Sequence, residues 1–364
     1  MGWFGKGRQR GAGAAEDARA GELLDAASDA LEEGRAEEAL GRAEEALALA
    51  PGSADGLRLR AGILAELERH EEARAAYDRA LEAHGDDVPV LAEAAAYLVG
   101  GLPEDDQDHA DLERALALAR RGLKRTGKDA ADAERTAELA LSAGQALAAL
   151  GAEEEALPFF AQAAAADPAW AEPRFEEGSA LHALCRFDEA RGALLAAEAL
   201  DPDHAFVQHH LGLVAERRGE LAEALSRFDR ARRLDREAFP KPVTLSPAEF
   251  DRAVERALAD LPARVRAALR SVSISVEELP SDEDLRASDP PLSPSILGLF
   301  RGPSMADGAT ASGGLPAIVL YQKNLQRFAR DRAELIDELR VTLVHEVGHY
   351  LGLDEDELYE RGLD

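Results

Sequence analysis

The sequence predicts a mainly helical protein, in which an array of stacked helices is followed by a small α+β domain. Of the 364 residues, 46% are hydrophobic but only 5% are aromatic, so Ala and Leu must fill most of the core. Charged residues make up 31% of the chain and recur at helical spacing, which excludes an all-β architecture for most of it. Near residue 272 the apolar period changes from 3.6 to 2, as expected where helices give way to strands.

A repeating pattern of small residues occupies the first two-thirds of the chain. Twelve residues before four of the repeated alanines stands another small residue, and a proline follows twelve residues after three of them. Each unit is therefore predicted to be two short helices whose small residues allow close approach, with the proline ending the second helix. The steps between the alanines are 34, 42, 41, 34 and 34 residues: Ala39, Ala73, Ala115, Ala156, Ala190 and Ala224.

This pattern resembles the tetratricopeptide repeat over roughly residues 20–236, in about six units. The resemblance implies a right-handed α-solenoid with a concave groove that binds a peptide or partner protein; self-assembly or a spacer role is the alternative. The longer steps imply two insertions, of about eight and seven residues. One is predicted in the loop 100–108, which is rich in Gly, Pro and acidic residues, and the other near residues 126–129. The groove ligand and the oligomeric state stay open.

The charge of the chain limits its partners. There are 42 basic and 71 acidic residues, a net charge of −29, which repels nucleic acid and anionic membranes. No signal-peptide core or transmembrane run is present, so we expect a soluble, cytoplasmic protein. The single cysteine, Cys185, excludes an intramolecular disulfide, favours a reducing compartment and is expected in the core. A disordered tail is expected over residues 1–18.

A domain boundary is predicted at residues 237–245, where two prolines interrupt the helical pattern. The solenoid then spans residues 19–236 and the second domain residues 246–364. Ser246, followed by a proline and by Glu249, predicts a capped helix start at about residue 247. The patterns that follow predict strands at 272–276, 296–300 and 316–321, and helices at 324–330 and from about residue 331.

The last predicted helix carries the motif His345-Glu-Val-Gly-His349, in the extended form H-E-x-x-H-x-x-G-x-x-E. Two histidines four residues apart project from the same face of a helix, so both imidazoles can reach one zinc ion. Glu346 lies between them and faces the remaining coordination position. Gly348 costs about 1 kcal/mol relative to Ala inside a helix. We therefore expect it to allow close approach of a neighbouring strand.

The third metal ligand is expected just after this helix. Gly352 can adopt the positive φ that ends the helix and turns the chain back toward the metal. Glu355 then occupies the spacing at which one large group of zinc proteases places its third ligand, and Asp354 is the alternative. Glu357 and Glu360 are expected to be solvated.

Residues 245–364 resemble the minimal zincin-like metallopeptidases of bacteria, through the segments LSPAEFDRAVERALADLP, ILGLF, AIVLYQ and HEVGHYLGLDEDEL. The resemblance implies that His345 and His349 bind Zn²⁺, with Glu355 as the acidic third ligand. It also implies that Glu346 is the general base. In that chemistry the metal lowers the pKa of a water to about 7, and Glu346 passes the proton to the leaving amine as a peptide bond is hydrolysed.

The leading functional hypothesis is a zinc-dependent metallopeptidase whose solenoid recruits a protein substrate or partner. The first alternative is an adaptor with little or no turnover, in which the C-terminal domain is a zinc-stabilised module. The second is metal-dependent hydrolysis of something other than a peptide. If the strand 317–321 lies at the sheet edge, an extended peptide can add to it. Tyr350 and Tyr321 are weaker candidates for stabilising the oxyanion.

Overall fold

A computed structural model describes residues 6–103, 106–127, 130–261, 263–304, 315–354 and 357–358. Its first part consists of helices joined by short turns. Up to residue 234, the described chain forms α1 (Lys6–Glu32), α2 (Ala36–Leu49), α3 (Ala54–Glu66), α4 (His70–His84), α5 (Val88–Gly100), α6 (His109–Leu123), α7 (Ala130–Ala149), α8 (Glu153–Ala166), α9 (Glu172–Ala183), α10 (Phe187–Leu200), α11 (Ala205–Arg217) and α12 (Leu221–Leu234).

The small residues of the repeat lie where helices meet. All six alanines that define the period are buried, with exposed fractions between 0 and 2%. A Cβ atom added at Gly144 would lie 2.5 Å from the ring of Phe160, and one added at Gly212 would lie 2.6 Å from the ring of Phe228. The helices therefore approach more closely than a larger residue would permit, and the mainly helical solenoid fold is confirmed.

The turn inside each helix pair repeats with the same period. In five pairs one residue of the turn has a positive φ, between +55° and +75°. This left-handed residue reverses the chain within three residues, which suits glycine because it has no Cβ atom. Two positions depart from glycine, and one of them is the buried Cys185. The five turn residues are Gly34, Glu68, Gly151, Cys185 and Gly219.

The two insertions take different forms. The first falls between α5 and α6, inside the predicted loop 100–108. The second mainly lengthens a helix, because α7 contains 20 residues whereas α3, α9 and α11 contain 13, 12 and 13. The start of α7 is rich in alanine, the residue with the highest helix propensity, so the added residues extend the helix rather than a loop.

The first helix begins at Lys6 and therefore overlaps the predicted disordered tail over residues 1–18. Alanines at positions 12, 14, 15 and 18 favour a continuous helix over this stretch. Within the described residues, no helix is long and apolar enough to cross a membrane.

The chain divides into two compact units, and the division does not fall at the proline segment 237–245. One unit comprises residues 1–180 with 199–201, and the other comprises 181–198 with 202–364. Inside the second unit, the Arg217 guanidinium at the end of α11 donates to the Pro280 carbonyl and, at 2.6 Å, to Asp282. Glu216 pairs with Lys323, 3.4 Å away, and with Arg327. The last repeat helices therefore pack as part of the same unit as the C-terminal residues.

The C-terminal part combines helices with a three-stranded sheet. Strand β1 pairs in parallel with β3, with Ser273 opposite Ala317, and β2 pairs antiparallel with β3, with Gly298 opposite Leu320. The strand order is thus β1-β3-β2. The described elements are α13 (Pro247–Asp260), α14 (Ala263–Ala268), β1 (Ser273–Glu277), α15 (Asp282–Leu285), β2 (Gly298–Arg301), β3 (Ala317–Tyr321), α16 (Gln322–Phe328) and α17 (Arg332–Leu351).

One face of the sheet packs on helices α13 and α17. The predicted capping box begins α13, with the backbone N–H of Ser246 donating to Glu249 at 3.0 Å. Ile318 and Leu320 of β3 point into this core and are fully buried. They meet apolar residues of the two helices, among them Phe250, Val254, Leu335, Leu339 and Leu343.

The central position of β3 overturns one expectation. Because β3 is hydrogen-bonded to β1 on one side and to β2 on the other, it has no free edge. The hypothesis that a peptide adds to strand 317–321 is therefore wrong. Among the described strands, the edges belong to β1 and β2.

Candidate metal centre

Two features position helix α17: a cap at its N-terminus and a row of buried apolar side chains along one face. The carboxylate of Asp331 accepts the backbone N–H groups of Ala333, at 2.7 Å, and Glu334, at 3.0 Å, which caps the first turn. The apolar row faces the core, and His345 and His349 stand beside it, half-buried. Its members, 0 to 2% exposed, are Leu335, Leu339, Leu343 and Val347.

The two motif histidines converge on one point. Their Nε2 atoms lie 3.0 Å apart, and their ring planes cross at 83° with centroids 4.7 Å apart. Two zinc ligands, each about 2.0–2.1 Å from the ion, can lie up to about 4 Å from one another. The separation therefore fits two nitrogens that share one ion.

The turn after α17 orients His349. Gly352 has φ of +89°, as the sequence predicted, and the N–H of Leu353 returns to the Gly348 carbonyl at 3.0 Å. The turn places the Leu353 carbonyl 3.2 Å from Nδ1 of His349. If Nδ1 carries the proton and donates it there, the lone pair of Nε2 is left free to bind a metal. No motif or spacing in the sequence predicted this backbone contact.

Glu346 is held between α17 and the edge strand β2. The residue is 5% exposed. A Cβ atom added at Gly298 would lie 3.2 Å from Cγ and Oε1 of Glu346 and 2.6 Å from Cγ2 of Thr342. Glycine thus lets the edge strand lie directly against the carboxylate. Gly298 was not predicted to be a site residue, although an isolated glycine inside an apolar strand is the usual sign of such close approach.

The third-ligand prediction falls on a position that the structure does not describe, since Glu355 and Glu360 lie outside the described residues. Asp354 is described and exposed, and its carboxylate accepts the backbone N–H of Glu357 at 2.9 Å. Glu357 returns the contact to the Asp354 N–H at 3.3 Å and is half-buried, so it is less solvated than expected. Among the described residues, no group of three or more His, Cys, Asp or Glu could hold a metal.

Gly348 also allows a close approach, but its neighbour is not a strand. A Cβ atom at this position would lie 2.2 Å from Cδ2 of Leu358, which is fully buried. The expected strand contact is therefore wrong. Leu358 therefore packs against the helix beside the motif.

The two tyrosine candidates differ in position. Tyr350 lies on α17, with its ring 5.7 Å from the ring of Phe300 on β2. Tyr321 alternates with Leu320 and lies on the sheet face turned away from α17, where burial raises its pKa to about 12. Tyr321 therefore does not face the motif histidines.

Family models match both parts of the chain. The model of the zincin-like metallopeptidases matches residues 269–363, and that of the tetratricopeptide repeat matches residues 24–88 and 175–239. The chain joins tetratricopeptide repeats to a zincin-like metallopeptidase domain. No curated protein matches it.

Solved structures resemble the repeat array. One, from the functional characterization of Pseudomonas aeruginosa pilF, is 17% identical in sequence and has a TM-score of 0.52. The alignment covers 65% of this chain and 99% of the pilF chain. Another, the APC/C hetero-tetramer Cut9-Hcn1, is 15% identical in sequence and has a TM-score of 0.50. The alignment covers 60% of this chain and 41% of the matched chain. At these identities the likeness shows the tetratricopeptide fold alone.

Proposed function

We propose that this chain is a zinc-dependent metallopeptidase whose tetratricopeptide repeats recruit a protein substrate or partner. The observation that carries the proposal is the convergence of the His345 and His349 Nε2 atoms, 3.0 Å apart, beside the buried Glu346. The match to the zincin-like metallopeptidases supports the same reaction class. The single free cysteine, Cys185, is in keeping with a reducing compartment, and we propose the cytoplasm.

His345 and His349 would hold the zinc, with Glu355 as the proposed acidic third ligand. Asp354 is the less suitable alternative, because its carboxylate caps the turn at Glu357. Bound zinc supplies Lewis acidity, which lowers the pKa of water and polarises a carbonyl. The fit of the donors rests on the two converging imidazoles and on the Leu353 carbonyl that orients one of them.

Glu346 would move the proton. Its carboxylate takes a proton from the attacking water and then gives it to the nitrogen of the leaving amine, so the acid ends the cycle ionised again. Gly298 contributes by letting β2 close over the side chain of Glu346, which restricts the positions that the carboxylate can adopt. Burial between strand and helix also limits the access of bulk water.

The peptide would bind along the free edge of β2. One edge of this strand is bonded to β3, and no other described strand pairs with it. An extended peptide that adds to the open edge satisfies the backbone groups there. Because Gly298 adjoins Glu346, such a peptide would pass next to the proposed base.

Two variants test the proposal. Purified wild-type protein should contain about one zinc per chain, and His345→Ala should lose it, whereas His109→Ala, an exposed histidine on α6, should keep it. Glu346→Gln should retain zinc but lose cleavage of a proteome-derived peptide mixture measured by mass spectrometry. An adaptor would show no cleavage in either protein, and equal cleavage by the wild type and Glu346→Gln would also refute the mechanism.

A further inference from the structure

A second candidate site lies within the compact unit that contains the zincin-like domain. A cavity of about 490 Å³ opens between α12, the segment 238–244 and α16. A neighbouring cavity of about 410 Å³ shares Asp229, Arg232 and Pro240 with it. The two cavities therefore form one continuous surface, at some remove in sequence from the metal-binding motif.

We call the first cavity the aromatic pocket, because His209, Phe228 and Phe239 form one of its walls. The His209 ring stacks on Phe239, with centroids 4.6 Å apart and planes at 19°, and it lies 5.3 Å from the ring of Phe228. Burial lowers the pKa of His209 to about 3, so this wall is uncharged at neutral pH. Leu225, 66% exposed, stands at its rim.

The second cavity carries positive charge, and we call its four cations the basic rim: Arg232, Arg233, Arg236 and Lys241. Asp229 is the one acid that lines it, and this acid pairs with Arg232 at 2.8 Å. In the described part of the chain, no carboxylate forms a salt bridge with the other three cations. This is unusual for a protein with a net charge of −29.

A comparison with another cavity shows that arginine alone does not make such a surface. The cavity of about 440 Å³ beside Cys185 also contains several arginines. There, however, Arg186 pairs with Glu189, Arg217 with Asp282, and Arg218 with Asp188. Three of its four arginines are thus neutralised, and the fourth, Arg286, donates to the Cys185 carbonyl, whereas three cations of the basic rim are available to a ligand.

We propose that the aromatic pocket and the basic rim together dock an acidic, extended segment of a partner protein that carries one aromatic residue. The aromatic residue would fill the pocket against Phe228 and Phe239, and the flanking Asp or Glu residues would meet the basic rim. Nucleic acid would offer negative charge as well, and an oligonucleotide is therefore one of the ligands compared in the test.

The site also includes residues of α16, the helix that precedes the motif helix α17. Lys323, Gln326 and Arg327 line the aromatic pocket, and α16 connects the central strand β3 to the motif helix α17. Arg327 lies with its guanidinium 5.0 Å from the centre of the Phe228 ring. A docked segment would therefore touch the element that precedes the metal-binding helix.

The test measures binding and does not depend on peptidase activity. A fluorescein-labelled peptide, Asp-Glu-Asp-Glu-Phe-Asp-Glu-Asp-Glu, is titrated with the full chain and followed by fluorescence anisotropy. Replacing its Phe with Ser should weaken binding at least tenfold, because the aromatic pocket is left empty. Leu225→Asp should weaken it at least fivefold, and raising the salt concentration should weaken it further.

A matched pair of charge reversals supplies the control. Arg233→Glu with Arg236→Glu should weaken binding at least tenfold. Arg252→Glu with Arg256→Glu, on the exposed face of α13, makes the same change in net charge and should leave the affinity within twofold. Far-UV circular dichroism and the Tm verify that each variant is folded.

Three results would overturn the proposal. They are equal affinity of the two charge-reversal variants, equal binding of a Lys/Arg peptide with the same central Phe, and tighter binding of a 20-nucleotide oligothymidine than of the acidic peptide. The last of these would assign the surface to nucleic acid instead.

Discussion

The contact between Gly298 and helix α17 predicts a specific response to one added methyl group. In Gly298→Ala the new Cβ would lie 2.6 Å from Cγ2 of Thr342, where an ordinary contact is 3.4–4 Å. Both partners are buried, so relief requires β2 or α17 to move. Overpacking of this kind costs about 1–3 kcal/mol of unfolding free energy. The same displacement would shift Glu346, and a misplacement of about 1 Å lowers kcat/KM by roughly 100-fold.

A double-mutant cycle isolates the cause. Thr342→Ser removes the methyl group that the new Cβ meets and by itself costs about 1 kcal/mol for the lost apolar contact. If the clash is responsible, the double variant is nearly as stable as Thr342→Ser alone, with a coupling energy of at least about 1 kcal/mol. The assay is urea unfolding followed by far-UV circular dichroism.

A matched Gly→Ala change shows what happens without a clash. Gly41 lies inside α2, and a Cβ atom added there meets nothing within 4 Å, so Gly41→Ala should stabilise the chain by up to about 1 kcal/mol. Additivity of Gly298→Ala and Thr342→Ser within about 0.5 kcal/mol would refute the steric reasoning.

Two further variants test the repeat helices. His209 is half-buried, and desolvation lowers its pKa to about 3, so its contribution to stability is complete above pH 6.5 and declines as the pH falls toward 3. Between pH 7.5 and 5, His209→Phe should lose about 2 kcal/mol less unfolding free energy than the wild type. An unchanged pH profile would contradict the lowered pKa of His209. Glu68 has φ of +55°, so Glu68→Gly should raise the stability by about 1 kcal/mol. Glu66→Gly, at the last residue of α3, should instead lower the stability, and calorimetry that ranks the two variants the other way would refute the left-handed turn.

The repeats and the motif helix were predictable because they rest on local rules. A small residue that recurs at the repeat period indicates close packing of helices in any repeat of this kind, and Ala39 and Ala190 are fully buried accordingly. The capping box at Ser246 and the glycine that ends α17 likewise depend on backbone groups nearby in sequence. The His345 and His349 rings converge because residues four apart share one helix face.

The errors at the sheet and at the motif concern tertiary contacts that a periodic pattern does not determine. An edge strand and a central strand share the same alternation, so the order β1-β3-β2 did not follow from periodicity alone. The continuous apolar run Ala317–Tyr321 was nevertheless a usable sign, because a strand covered on both faces loses its polar positions. Nothing comparable indicated that Leu358 would occupy the space above Gly348.

The composition of the second compact unit bears on how such a chain can be shortened, lengthened or recombined. Helices α11 and α12 and most of α10 belong to that unit, where Glu216 pairs with Lys323 and Arg217 pairs with Asp282. A fragment cut at the proline segment would strip those partners from the zincin-like domain and uncover the surfaces they hold. Repeats that are added or deleted upstream of α10 leave these ion pairs intact. The number of early repeats can therefore change by recombination, whereas α11 and α12 must stay with the domain that follows them.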